Sequence, residues 1–75
     1  MLLKCITSFY ALNENGNKNK KISIGSYWLY VGVEAKHHKL QRLYKNNKLG
    51  NYAYLTRNQV KSNFKLVETK NLEEE

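Results

Sequence analysis

Residues 22–34, ISIGSYWLYVGVE, carry the strongest strand signal in the chain. β-Branched and aromatic side chains suit a pleated, half-buried surface. Successive side chains of a strand point to opposite faces. Tyr27, Leu29 and Val31 therefore share one face, and Trp28 and Tyr30 share the other. A small antiparallel sheet packs one face on its core, and Tyr27, Leu29 and Val31 are expected to supply that face. Trp28 and Tyr30 then form a second aromatic face, either more core or a surface for contact. Gly25 and Gly32 mark a bend or a bulge on this strand.

Six tyrosines, one tryptophan and two phenylalanines are many for one core in a 75-residue chain. A chain of this length forms one domain and buries only roughly 60% of its unfolded surface. Some aromatics must therefore stay partly exposed, and exposed aromatics mark interaction surfaces. The aromatic and β-branched content excludes a disordered composition. No apolar run approaches the ~18 residues of a transmembrane helix. The opening MLLKCITSFYALNENG has no basic stretch ahead of an apolar one, so it does not read as a signal peptide, and a cytoplasmic protein is expected. Cys5 cannot form an intramolecular disulfide, because it is the single cysteine. It is expected to act as a small core hydrophobe.

Charge divides the chain. Residues 1–67 hold 12 of the 13 Lys and Arg residues but only two acids, Glu14 and Glu34, for a net +10. Residues 68–75 hold four glutamates against Lys70, for a net −3. A field of this kind draws polyanions and acidic partners. Lysine and asparagine are both frequent, and an A+T-rich coding genome raises the two together without a functional cause. That bias shifts weight from nucleic acid toward an acidic protein surface as the partner.

Along the chain, residues 2–12 alternate as a strand, with Leu3, Cys5, Thr7, Phe9 and Ala11 on one face. Helical spacing of Leu2, Ile6, Phe9 and Tyr10 is the alternative. Residues 13–21, NENGNKNKK, lack apolar side chains and read as a mobile basic loop with an Asn15-Gly16 turn. After the strand at 22–34, AKHHK turns the chain, KLQRLYK is a second strand, NNKLGN is a turn and NYAYLT is a third strand. Thr56 and Gln59 have capping-box spacing and predict a helical turn over 57–62. NFKLVE, residues 63–68, is the last strand. The expected unit is a single small β domain over 1–68, with an acidic, frayed tail over 69–75.

This order, with a long first loop, a central meander, one helical or 3₁₀ turn and a closing strand, resembles an SH3-like barrel, partly open and of about five strands. Residues 22–67 carry most of the likeness, notably IGSYWLYVGVE and YAYLTRNQVKSNFKLVE. The chain also resembles the small lysine- and asparagine-rich proteins encoded by phages and mobile elements of low-GC bacteria. It departs from peptide-binding SH3 domains, whose first loop is acidic and which carry an ALYDY-like segment. Binding of proline-rich peptides is therefore not carried over.

Catalysis is not expected. Hydrolytic sites need paired carboxylates or a nucleophile with a base, and residues 1–67 offer two separated glutamates and no aspartate. His37 and His38, adjacent on a strand, would point apart, so no metal site is expected. The isolated glycines form no phosphate-cradling loop, and no cofactor or small-molecule substrate is expected. The remaining signal is aromatic and basic. Trp28, Tyr30, Lys36, Lys39, Arg42, Tyr44 and Arg57 are the candidate partner-binding residues. Among them, Arg42 suits a phosphate or carboxylate clamp through its fork of donors. Single-stranded nucleic acid is held by such aromatic platforms in positive grooves. The expected function is a non-enzymatic module that binds nucleic acid or, alternatively, an acidic site on a host or phage protein.

Overall fold

The structure, a computed structural model, describes residues 1–67. The acidic tail expected over 69–75 lies outside the described residues. The chain is mainly β. In order it forms β1 (Leu2–Cys5), β2 (Phe9–Ala11), β3 (Lys20–Ile22), β4 (Tyr27–Glu34), β5 (His37–Leu43), β6 (Leu49–Leu55), α1 (Arg57–Asn63) and β7 (Phe64–Val67). Five strands make one antiparallel sheet in the order β6-β5-β4-β1-β7, and β2 and β3 form a separate hairpin. The large sheet is open, not closed into a barrel. An isolated bridge between Leu12 and Tyr54 ties the end of β2 to β6.

The strand expected over 2–12 breaks into β1 and β2. At the break the backbone turns to other partners. Cys5 N–H donates to Ser26 O at 2.8 Å, Ile6 N–H donates to Asn63 O at 2.8 Å, and Ser8 Oγ accepts from Ile24 N–H at 2.8 Å. Four of the five residues of the expected face keep it, with Leu3, Cys5 and Ala11 buried and Phe9 partly buried against them, whereas Thr7, at the break, is exposed. The basic loop is shorter than its composition suggests, because Lys20 and Lys21 belong to β3. Its turn is built on Asn13, whose Oδ1 accepts from Asn15 and Asn17 N–H at 2.8 and 2.9 Å. Gly16 closes it with φ 84°, a conformation in which glycine carries no Cβ penalty. The capping box forms as expected: Gln59 N–H donates to Thr56 Oγ1 at 3.2 Å, and Thr56 N–H donates to Gln59 Oε1 at 2.9 Å.

The two faces of β4 are the reverse of the expectation. Trp28 is 2% exposed and sits in the core, whereas Val31 is 51% exposed. Tyr27 and Leu29 are half-buried on the outer side. The register explains the choice. Leu3 pairs with Trp28, Trp28 with Arg42, Tyr30 with Leu40 and Leu40 with Ala53, so these side chains share one face. The β2–β3 hairpin covers that face with Ala11 and Ile22, and Val60 of α1 joins it. A bulge at Val31, between Tyr30 and Gly32, adds a residue to β4 and further exposes Val31. Period-two alternation separates two faces but does not say which one the rest of the chain covers.

On the outer face, Val67, Leu2, Leu29, Gln41 and Tyr52 form a row across all five strands. Among the described residues, no helix is long and apolar enough to cross a membrane.

Candidate functional site

Arg42 follows His38 and Leu40 on the inner face of β5, directly opposite Trp28. Its Nη1 donates to Leu43 O at 3.1 Å and to Tyr27 O at 3.3 Å. Its guanidinium carbon lies 4.6 Å from the centre of the Tyr44 ring and 5.9 Å from that of Trp28. Two carbonyls and two rings thus hold the guanidinium in place. Such immobilisation lowers the entropy lost when the remaining N–H groups meet an anion.

The surroundings are basic. Lys20, Lys21, Ser23 and Ser26 line a polar recess of about 150 Å3 beside Arg42 and Tyr44. An open groove of about 690 Å3 continues past the same two residues, between Tyr27, Lys45, Asn47 and Lys48. Tyr44 is 47% exposed, so one part of its ring supports Arg42 and another faces solvent. Both carboxylates of residues 1–67 are engaged elsewhere. Glu34 Oε2 pairs with Lys39 Nζ at 3.7 Å and Glu34 Oε1 accepts from Tyr54 OH at 3.1 Å. Glu14 Oε2 accepts from Tyr52 N–H at 3.3 Å. Among the described residues, no carboxylate lies within ion-pair distance of Arg42.

The seven candidate residues do not gather in one place. Arg42 and Tyr44 form the groove just described. Trp28 supports it from beneath, buried, with its Nε1–H donating to Ser26 Oγ at 2.9 Å; as a core residue it presents no contact surface, contrary to its expected place among the partner-binding residues. Lys36 sits exposed in the β4–β5 turn. Lys39 points to the outer face, with its ammonium 4.3 Å from the Tyr52 ring centre and 5.8 Å from that of Tyr54. Desolvation works against that ammonium, but the Glu34 carboxylate, with help from Tyr54 and Tyr52, outweighs it and raises its pKa. Tyr30 and Arg57 line a third place, a groove of about 400 Å3 between the sheet and α1. There Tyr30 OH and His38 Nδ1 are 2.7 Å apart.

His37 and His38 behave as adjacent strand residues should. His37 Nδ1 lies 3.0 Å from Ala35 O, while His38 faces Tyr30. No group of three or more His, Cys, Asp or Glu residues comes together among the described residues. Cys5 is fully buried, with Sγ 3.1 Å from Thr7 O, and burial pushes its thiol pKa up.

Comparison of the chain with family models, curated proteins and solved structures finds no match. The reading of the site therefore rests on its chemistry. Lys20 and Lys21 are the contributors that sequence reasoning missed. They end a polar segment with the composition of a loop, and only the β2–β3 pairing of Tyr10 with Lys21 and Ala11 with Lys20 places them beside Arg42. A weak signal was present in the KKI segment, where two lysines lead into the apolar Ile22.

Proposed function

We propose that the protein is a small, non-enzymatic binding module with an SH3-like arrangement of strands, of the kind carried by phages and mobile elements, that binds nucleic acid in the cytoplasm at the Arg42–Tyr44 groove. One observation carries this reading: an arginine held by two carbonyls and two aromatic rings, among lysines from β3 and the β5–β6 turn, with no carboxylate beside it among the described residues. The guanidinium suits a phosphate oxygen pair. The exposed part of Tyr44 offers a π-face on which an unpaired base stacks. Asn46 and Asn47 add amide donors and acceptors at the rim.

Phosphate contacts release counterions, so binding must weaken with salt. With Arg42, Lys20, Lys21, Lys45 and Lys48 each on a phosphate of a single strand, log K falls against log salt with a slope of about −3.5. Titration of fluorescent single- and double-stranded DNA and RNA at several salt concentrations tests this. Absence of binding at low salt overturns it.

The outer sheet face favours a second reading, a module for an acidic protein surface. Val67, Leu2 and Leu29 form a half-buried apolar row, with Lys65 and Lys4 paired beside it on β7 and β1. An apolar stripe with a basic border suits a partner with acidic rim residues. Nuclease-treated pull-downs with Leu29→Glu as the control discriminate this face from the Arg42 groove.

A further inference from the structure

The Arg42 guanidinium spends only one of its nitrogens on the protein. Its hydrogen bonds to Tyr27 O and Leu43 O both run from Nη1. Among the described residues, Nε–H and the N–H groups of Nη2 meet no protein acceptor, and no buried side-chain nitrogen or oxygen lacks one. These donors are therefore open to solvent. Nε and Nη2 form one edge of the planar fork, and that edge matches two oxygens of a single phosphate. The Tyr44 and Trp28 rings flank the guanidinium and limit its rotation.

The recess beside Arg42 is closed at one end. Trp28 and Ser26, both buried, belong to its lining. The Ser26 hydroxyl is already used, accepting from Trp28 Nε1–H and donating to Ser23 O. That side is finished core with no passage through it. Lys20 alternates onto the same side of β3 as the buried Ile22 and is half-buried. Ser23 is exposed, and its hydroxyl makes no hydrogen bond among the described residues. The recess volume of about 150 Å3 equals that of about five liquid waters, the scale of one phosphate group and not of a nucleotide.

We propose that this recess takes the terminal phosphate of a single strand, an inference that rests on the nucleic-acid reading of the Arg42–Tyr44 groove and narrows it to strand ends. A phosphate inside a strand needs a way in and a way out for the chain, whereas a terminal one needs only a mouth. Charge favours the end as well. A terminal phosphate carries roughly two negative charges at neutral pH, against one for an internal linkage. Arg42 and Lys20 supply two positive charges to meet it, and the Ser23 hydroxyl supplies a further donor. Arg42 and Tyr44 line both the recess and the open groove. A phosphate in the recess therefore sets the first base beside the Tyr44 ring and leads the following nucleotides past Lys45 and Lys48.

Polarisation titrations with one single-stranded sequence in four forms test this: 5′-phosphorylated, 3′-phosphorylated, hydroxyl at both ends, and circular. One or both phosphorylated forms should bind about tenfold more tightly than the hydroxyl-ended form, as expected for added charge-assisted hydrogen bonds. The circular form should match the hydroxyl-ended one. Equal affinity for all four overturns the assignment to strand ends and leaves the groove reading standing. Binding of none of them at low salt overturns the groove reading, and this assignment with it. Arg42→Lys keeps the charge and loses the fork, so it should cut the preference to about twofold or less; a preference that survives in the folded variant overturns the role of the fork. A test on the native protein needs no variant. Inorganic phosphate, at constant ionic strength made up with chloride, should lower the affinity for the phosphorylated strand to that of the hydroxyl-ended one. Competition no stronger than that of chloride overturns the proposal.

Discussion

The ring of Tyr44 lies on the bare α-carbon of Gly50. A methyl group at position 50 would stand 2.7 Å from Tyr44 Cε2 and 3.1 Å from Arg42 Cβ. Gly50 falls where the β5–β6 register shifts, between the Gln41–Tyr52 and Leu43–Leu49 pairs. The missing side chain thus creates the seat on which the aromatic half of the candidate site rests.

Gly50→Ala is expected to push the Tyr44 ring away from Arg42. The ring is partly exposed and can swing outward, so the fold should survive with a stability change within about 1 kcal/mol. Loss of one stacking platform is worth roughly 1–3 kcal/mol per base. Single-strand affinity should therefore drop by about tenfold, as read by polarisation titration beside a thermal melt. Unchanged affinity with a displaced ring would remove Tyr44 from the interface.

Trp28 and Ser26 form a buried polar link. Trp28 Nε1–H donates to Ser26 Oγ at 2.9 Å, and Ser26 Oγ–H donates to Ser23 O at 2.6 Å. Ser26→Ala leaves a buried N–H and a carbonyl without these partners, at a cost of about 1–3 kcal/mol. Trp28→Ala adds a cavity and costs about 3–5 kcal/mol, comparable with the whole stability of so small a domain. Circular dichroism should show Ser26→Ala folded with a lowered Tm and Trp28→Ala largely unfolded at room temperature. A cooperative melt of Trp28→Ala near the parent Tm would contradict its place in the core.

The β4–β5 hairpin closes through Ala35 and Lys36, with φ of 51° and 67°. Two-residue turns of this kind suit Asn-Gly, because left-handed backbone is costly for residues with a Cβ. Replacing Ala35-Lys36 with Asn-Gly should stabilise the protein by about 1 kcal/mol, which is about 4–8 °C in Tm for a domain of this size. Lys36 lies outside the Arg42 groove, so nucleic-acid affinity in the same variant should stay within about twofold of the parent, apart from the long-range effect of one lost charge. A lower Tm would show that the turn is not strained at these positions.

Cys5 gives a pH test. Burial raises its folded-state pKa above the ordinary thiol value of 9.0. The unfolded chain therefore loses its thiol proton first as pH rises. This thiol leaves stability unchanged below about pH 9 and reduces it above that, since the folded state holds the proton longer. A Cys5→Ala comparison in urea melts at pH 8 and pH 10 isolates the effect. Native Cys5 should also react with a disulfide reagent at least about a hundredfold more slowly than the unfolded chain, as expected for an opening cost near 3 kcal/mol. Equal rates would mean that the thiol is accessible.

Local chemistry was legible in the sequence. The mainly β class, the meander, the Thr56–Gln59 capping box and the burial of Cys5 all follow from short-range rules of alternation, turn residues and capping, and the structure contains each of them. The pairing of a lysine-rich segment with Tyr10 and Ala11 was not legible, because β2 and β3 are joined by a polar stretch that carries no strand signal of its own.

The sequence by itself determined that Trp28 and Tyr30 lie on the face opposite Tyr27 and Leu29, because side-chain direction in a strand follows from backbone geometry alone. It also determined that residues 1–67 carry a large positive charge with only two acids to offset it. Only the tertiary structure decided which face of β4 is inside, since that depends on where the β2–β3 hairpin and α1 come to rest. The same packing decided that Arg42, Tyr44, Lys20 and Lys21 meet while Lys39 and Arg57 stand apart. Contacts between residues distant in sequence depend on the register of paired strands, and a one-residue change in register would send every side chain of the strand to the other face.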